Sequence, residues 1–361
     1  MKRIVALMLT LVLVFGLISV TASAEETEEP VMPKVTAISA QTHVEDYGQV
    51  VTSFELTFDG DIEVMALQAC NFAVENNLIH PVMADCSAGV TALEAAAEKL
   101  TLTVDPFLYA KGFKITLVRD GAVDFTFTAE DVSEVKTDIV DTFEAGTSEG
   151  GLNYRYYAPE SEEALPLVIW FHGGGEGGTD NSLQLTANRG AVCFAEPEYQ
   201  EKHPCVVLAP QSANSWAAEE LDEIAAVAQS LIDEGKVDAN RVYAVGLAAQ
   251  QATLRFSASH RDLLAAAMPI IYWKDFDEDW TSLQDLPMWC AIAENDFTGE
   301  APNMQAFVDD MTAAGNENVK LTIWTDEEMG EYGLFGGLLH WGWIPTINNQ
   351  EMIDWLFTWS R

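Results

Sequence analysis

Residues Gly246-Leu247-Ala248-Ala249-Gln250 occupy the place where a nucleophile is expected. Before them, Arg241-Val242-Tyr243-Ala244-Val245 reads as a buried strand; after them, 251–259 reads as a helix. A strand, a tight turn and a helix are the setting in which a G-x-S-x-G turn holds up a reactive serine. Here the middle position is Ala248, whose methyl group cannot attack a carbonyl. The closing glycine, needed where strand and helix crowd together, is Gln250. Changes at 248, 250 and 251 together fit a lineage that released the turn better than a single exchange of serine for alanine.

The elements that would position this turn recur along the C-terminal part of the chain. From about Gly151, apolar strand candidates at 167–171, 206–209, 242–245, 266–271, 288–293 and 319–324 alternate with helical segments at 219–234, 250–259, 303–314 and 350–359. That alternation predicts an α/β fold over 145–361, with a doubly wound, mostly parallel sheet covered on both faces. Sites in such sheets lie at the carboxyl ends of the strands. Residues 35–141 differ. Short β-type runs at 50–57, 100–104 and 113–118, with turn pairs Asp59-Gly60 and Asp120-Gly121, predict a small all-β sandwich. Ala92 to Lys99 could form a short helix, with Thr91 and Glu94 spaced as a capping box. The acidic, proline-containing stretch 25–34 reads as a linker.

Lys2 and Arg3, an apolar run from Ile4 to Val20 and the triplet Ala22-Ser23-Ala24 predict a signal peptide over 1–24 and a secreted protein. An uncleaved anchor is the alternative, because the run is just long enough to span a bilayer; no later segment is. Formal charge is −39, and loss of Lys2 and Arg3 would make it −41. That balance argues against nucleic acid or an anionic membrane as partner. The five cysteines leave at least one unpaired; Cys70–Cys86 and Cys193–Cys205 are candidate pairs, and Cys205 and Cys290 also read as buried free thiols. No spacing suggests a metal site, and no cofactor is expected.

Three segments carry a family resemblance. Leu165-Pro166-Leu167-Val168-Ile169-Trp170-Phe171-His172-Gly173-Gly174-Gly175-Glu176-Gly177-Gly178-Thr179-Asp180-Asn181 resembles the strand and oxyanion loop of secreted α/β-hydrolase esterases. These are related to polyhydroxybutyrate depolymerases and feruloyl esterases, and more distantly to prolyl oligopeptidases. Leu208-Ala209-Pro210-Gln211 with Trp216 looks like the next strand end, and His340-Trp341-Gly342-Trp343-Ile344-Pro345 like the catalytic-histidine loop. Some members carry an N-terminal immunoglobulin-like domain, which 35–141 resembles. The resemblance implies His340 as general base and Asp296 as the acid that orients it. It also implies an oxyanion loop of His172, Gly173, Gly174 and Gly175, with the Ala249 amide as a second donor. The bland counterparts are a tight glycine turn, a histidine packed among Trp341, Trp343 and Phe335, and a triad acid supplied by 275–279 or by Glu294.

The family pattern at the turn is Gly-Leu-Ser-Met-Gly-Gly, and this chain departs from it at the serine. Ser212 and Ser215 follow another strand end and could reach the pocket; Thr253, Ser257 and Ser259 lie along the helix and are poorer substitutes. Trp216, Trp273, Trp341 and Trp343 all follow strand ends and are candidate pocket walls, or core packing. The leading expectation is an impaired esterase homologue whose pocket takes a small-molecule ester or a carbohydrate ligand. The alternatives are a working hydrolase or peptidase with another nucleophile or a His340-activated water, and a structural or adhesive surface protein.

Overall fold

The computed structural model describes residues 31–76, 89–213, 216–247, 251–271 and 280–361. The expected signal peptide, Cys86, Ser215, Ala248, Ala249, Gln250, Trp273 and the acidic run 275–279 lie outside these residues.

The N-terminal part is built from β1 (Val35–Glu45), β2 (Gly48–Phe58), β3 (Phe72–Asn76), β4 (Val90–Ala96), β5 (Lys99–Leu108), β6 (Phe113–Arg119), β7 (Ala122–Thr128) and β8 (Glu134–Thr137). Among the described residues these form one sheet in the order β4-β5-β2-β1-β8 and another in the order β3-β6-β7. Alternate residues of β2, Phe54, Leu56 and Phe58, turn inward. The Phe54 ring lies 5.0 Å from Phe113 and 5.3 Å from Phe127 across the gap, so the core sits between the two sheets. The helix expected at 92–99 does not form. Those residues are strand β4 and the turn into β5, with Leu93 opposite Leu102 and Ala95 opposite Leu100. Alanine-rich helix propensity, worth a few tenths of a kcal/mol per residue, yields to ladder bonds and packing on β5.

The rest of the chain runs β9 (Glu144–Thr147), β10 (Asn153–Tyr157), β11 (Leu165–Phe171), α1 (Leu183–Thr186), α2 (Pro197–Lys202), β12 (Val206–Gln211), α3 (Ala218–Asp233), β13 (Val237–Gly246), α4 (Ala252–Ser259), β14 (Ala266–Pro269), β15 (Met288–Ala293), α5 (Ala301–Ala313), β16 (Val319–Trp324), α6 (Asp326–Glu331), α7 (Trp343–Ile347) and α8 (Gln350–Leu356). One sheet contains all its strands, in the order β16-β15-β14-β13-β11-β12-β10-β9. The six strands β11 to β16 are parallel, and β10 and β9 close one edge antiparallel. Both faces are covered. Leu167, Ile169 and Phe171 of β11 join a cluster with α3, α4 and α5, while Val168 and Trp170 join one with α7 and α8. Helix α3 buries Leu221, Ile224, Ala228 and Leu231, spaced three and four apart as one helical face requires. Each large apolar side chain so buried contributes roughly 1.5–3 kcal/mol.

Two features of this sheet matter for function. The chain leaves β11 for β12 on one side and returns to β13 on the other, so the end of β11 is a topological switch point. There β13 comes so close to β11 that a Cβ on Gly246 would lie 2.2 Å from the Phe171 carbonyl oxygen and 2.6 Å from its nitrogen. Gly246 also has φ +152°, which other residues rarely adopt. The second feature is a join between the two parts of the chain: Val44, from β1, is buried in the cluster shared by Trp170, Leu339, Trp343 and Ile344. Cys193 and Cys205 do not pair; both are free and buried, each beside a backbone carbonyl that its thiol faces.

Gly246→Ala is expected to cost about 3 kcal/mol or more, from overpacking together with backbone strain. Urea unfolding reads the loss directly; an unchanged midpoint would mean that β13 can move away from β11 freely.

Candidate active site

Asp296 and His340 come together at the carboxyl end of β15. Strand β15 ends at Ala293, and Asp296 follows in the next turn, only 4% exposed. His340 closes a short 3-10 turn, Gly336–His340, that leads into α7. Its Nδ1–H donates to Asp296 Oδ2 at 2.8 Å and lies 3.0 Å from Oδ1. Thr298 adds two donors to Oδ1, its amide and its hydroxyl, both at 2.8 Å. Burial alone would raise the Asp296 carboxyl; the hydrogen bonds from His340 and Thr298 outweigh it and hold the group below the ordinary carboxylate range. The Asp296 carboxylate is fully screened from solvent while the His340 side chain keeps 28% exposure. With Nδ1 occupied as a donor, Nε2 of the neutral ring is the nitrogen able to accept a proton. Glu294, the other nearby acid, is exposed.

The glycine loop follows β11 at the switch point. His172 is 2% exposed and serves the backbone rather than a substrate. Its Nδ1–H donates to Gly173 O at 2.6 Å, and its Nε2 accepts from the Ser212 amide at 3.0 Å, which fixes the neutral tautomer. Burial pushes its pKa down to about 4, against the smaller upward pulls of Gly173 and Asp180. Gly174 and Gly175 are exposed, and a Cβ on either would meet open space. Gly173 is different: a Cβ there would stand 2.9 Å from Glu176 Oε2 and 3.2 Å from Leu247 Cδ1.

Glu176 is the site residue that sequence reasoning passed over. It is 7% exposed, and its carboxylate accepts a hydrogen bond from the Asn188 amide. Burial raises its carboxyl above the ordinary range; backbone bonds at its own amide and at Gly173, then Asn188 and the nearby His340, pull the other way without reversing this. A charged residue inside a glycine run, just after a fully buried strand, was the available signal. Nothing in the sequence marked Asn188 as its partner.

Other expected participants sit elsewhere. Trp216 is fully buried, with its Nε1–H donating to His172 O at 3.2 Å, and Trp343 is buried with its Nε1–H on Asp46 O at 3.4 Å. Both therefore brace loops rather than line an open pocket. Trp341 is half-buried, its ring 5.3 Å from that of Trp343. An exposed ring beside the histidine is that of Phe297, 67% exposed and 4.6 Å from the His340 ring; Phe335, also 67% exposed, caps the turn leading to His340. The Ser212 hydroxyl donates to Glu220 at 2.9 Å and accepts from the Trp216 amide, and Ser257 and Ser259 bond back to their own helix. Thr253 is 2% exposed, and among the described residues its hydroxyl has no hydrogen-bond partner. None of the four faces His340 through a hydrogen bond. Among the described residues there is no cluster fit for a metal ion and no helix long and apolar enough to cross a membrane.

The chain is similar in structure to a thermostable esterase seen by crystallography, with TM-score 0.71 and 26% identity over 91% of this chain and 100% of that one. It is also similar to an α/β serine hydrolase without a lid from Xanthomonas campestris, with TM-score 0.42 and 15% identity over 59% of this chain and 94% of that one. A hyperthermophilic esterase from the archaeon Pyrobaculum calidifontis gives TM-score 0.40 and 15% identity over 60% and 82% of the respective chains. No protein-family model and no curated protein matches the sequence. The fold is thus an esterase-like α/β fold of the α/β-hydrolase kind, with a mostly parallel sheet.

The state of His172 sets a pH dependence. Its proton binds less readily in the folded chain than in the unfolded one, so its contribution is complete above its ordinary value of 6.5 and is lost as pH falls from there toward 4. The full loss is about 3 kcal/mol. Urea unfolding at pH 7, 5.5 and 4.5 should show this slope in the native protein and a flatter one in His172→Gln; parallel slopes would contradict it.

Proposed function

We propose that this esterase-like fold works as a secreted ligand-binding homologue of carboxylic-ester hydrolases, silent in serine catalysis, whose cleft takes an acylated or polymeric carbohydrate. One observation carries the reading. The His340–Asp296 pair is fully assembled, yet the chain position that would supply its nucleophile is Ala248. A general base with no hydroxyl to deprotonate cannot start acyl transfer. The exposed glycines at 174 and 175 and the aromatic rings of Phe297 and Phe335 support retention of a cleft, since rings of this kind pack on sugar faces and acyl groups. In this reading the N-terminal β part is an immunoglobulin-like domain, and residues 1–24 direct the chain out of the cell.

A second reading has the same pair in its favour. His340 could take a proton from water that attacks a bound ester directly, giving a slow hydrolase without a covalent intermediate.

Hydrolysis of short p-nitrophenyl esters separates the two. The native protein and His340→Ala are expected to react at the same background rate; activity that vanishes with His340 would replace the binding reading with the second. In Ala248→Ser/Gln250→Gly/Gln251→Gly, activity should rise on the order of 10³-fold, the scale at which a triad member acts. Calorimetry with feruloylated xylo-oligosaccharide tests the ligand class on the native chain: saturable heat supports it, and no heat across acylated and plain oligosaccharides argues against it.

A further inference from the structure

The β1–β2 hairpin of the N-terminal part reaches the α/β part beside α7, the helix that follows His340. Its tip is Asp46-Tyr47, and Asp46 makes three contacts across to the α/β part. Arg189 Nε donates to Asp46 Oδ1 at 2.8 Å, Asn348 Nδ2 to Oδ2 at 3.0 Å, and Trp343 Nε1 to the Asp46 carbonyl at 3.4 Å. Arg189 also donates to Asn348 Oδ1 and, at 2.7 Å, to Glu196. This ion pair is sheltered: the Arg189 and Asp46 side chains are 17% and 23% exposed. Next to Asp46, Gly48 with φ +134° lies on the 186–187 backbone, where a Cβ would stand 3.5 Å from Ala187 O. On the hairpin's inner face Val44 is buried with Leu339 and Trp343.

These contacts fall on both walls of the site. Trp343 and Asn348 bracket α7, the helix that His340 leads into. Arg189 directly follows Asn188, whose amide holds the Glu176 carboxylate against the glycine loop. Asp46, from the other sheet system, therefore reinforces the direct Arg189–Asn348 bond that joins the segment after His340 to the segment beside the glycine loop. A hairpin serving only as tether would need buried apolar area, which Val44 supplies; it would not need a sheltered carboxylate whose two oxygens go to the two different walls.

We propose that the hairpin tip is a built-in part of the cleft and that Asp46 is a positioning residue, setting the His340–Asp296 geometry and the glycine loop relative to each other. This rests on reading the His340 cleft as the ligand site, but it is tested on the geometry alone, without ligand or turnover.

The test is imidazole ¹H–¹⁵N spectroscopy on the full-length labelled protein, with the His340 signals assigned by their loss in His340→Ala. The Nδ1 proton of His340, held by Asp296, should be visible and slow to exchange with water. In Asp46→Ala it should exchange faster by about tenfold or more, as expected when a local opening becomes easier. Asp46→Asn should fall between the two. Asp138→Ala, which removes a bond to Gln41 within the N-terminal sheet, should leave the signal unchanged. A folded Asp46→Ala with the native signal and exchange rate overturns the proposal. Should that variant fail to fold, Asn348→Ala, which leaves the Arg189 ion pair in place, is read the same way, and native exchange there overturns it too. Failure of the ligand assays would leave this result standing, so the two readings fall separately.

Discussion

The close approach of β11 and β13 is the constraint on which the site depends. Parallel strands buried on both faces cannot splay to make room, because each face is already packed against helices. At the switch point the two backbones come within reach of each other only because Gly246 carries no side chain. Among the described residues the glycine loop follows β11 at this edge and, beyond β13 and β14, Asp296 follows β15.

Electrostatics divides the cleft into a firmly ionised acid and a reluctant one. Asp296 is buried but receives His340 and two donors from Thr298, enough to keep its charge. At Glu176 burial outweighs the donors around it, and its carboxyl is pushed above the ordinary range. Carboxyls shifted in opposite directions near one histidine are a pattern also found at sites tuned for proton transfer.

The N-terminal sheets bear on the same edge through one hairpin. Hydrogen bonds to Arg189, Asn348 and Trp343 converge on Asp46, and an apolar contact through Val44 supports them. In a chain of charge −39, a sheltered arginine holding two acids is a costly arrangement to leave without structural purpose.

The local signals in the sequence were enough for the alternating strands and helices and for the glycine run after a buried strand, because each is written in a contiguous run; the pairing of Asp296 with His340 was implied by a family resemblance rather than by any run. The absence of a serine at 248 is likewise a fact of the sequence alone. Tertiary structure decided what contiguous runs cannot carry. It turned Ala92 to Ala96 into a strand by pairing it with β5, and it left Cys193 and Cys205 unpaired. It set Trp216 and Trp343 in loop packing, the second of the two readings the sequence left open, and it brought Asn188 to Glu176 and Asp46 to Arg189. Asp46 and Arg189 lie 143 positions apart in the chain. Partners at such separations are chosen by how the sheets stack, and stacking is a property of packed surfaces rather than of any segment read by itself.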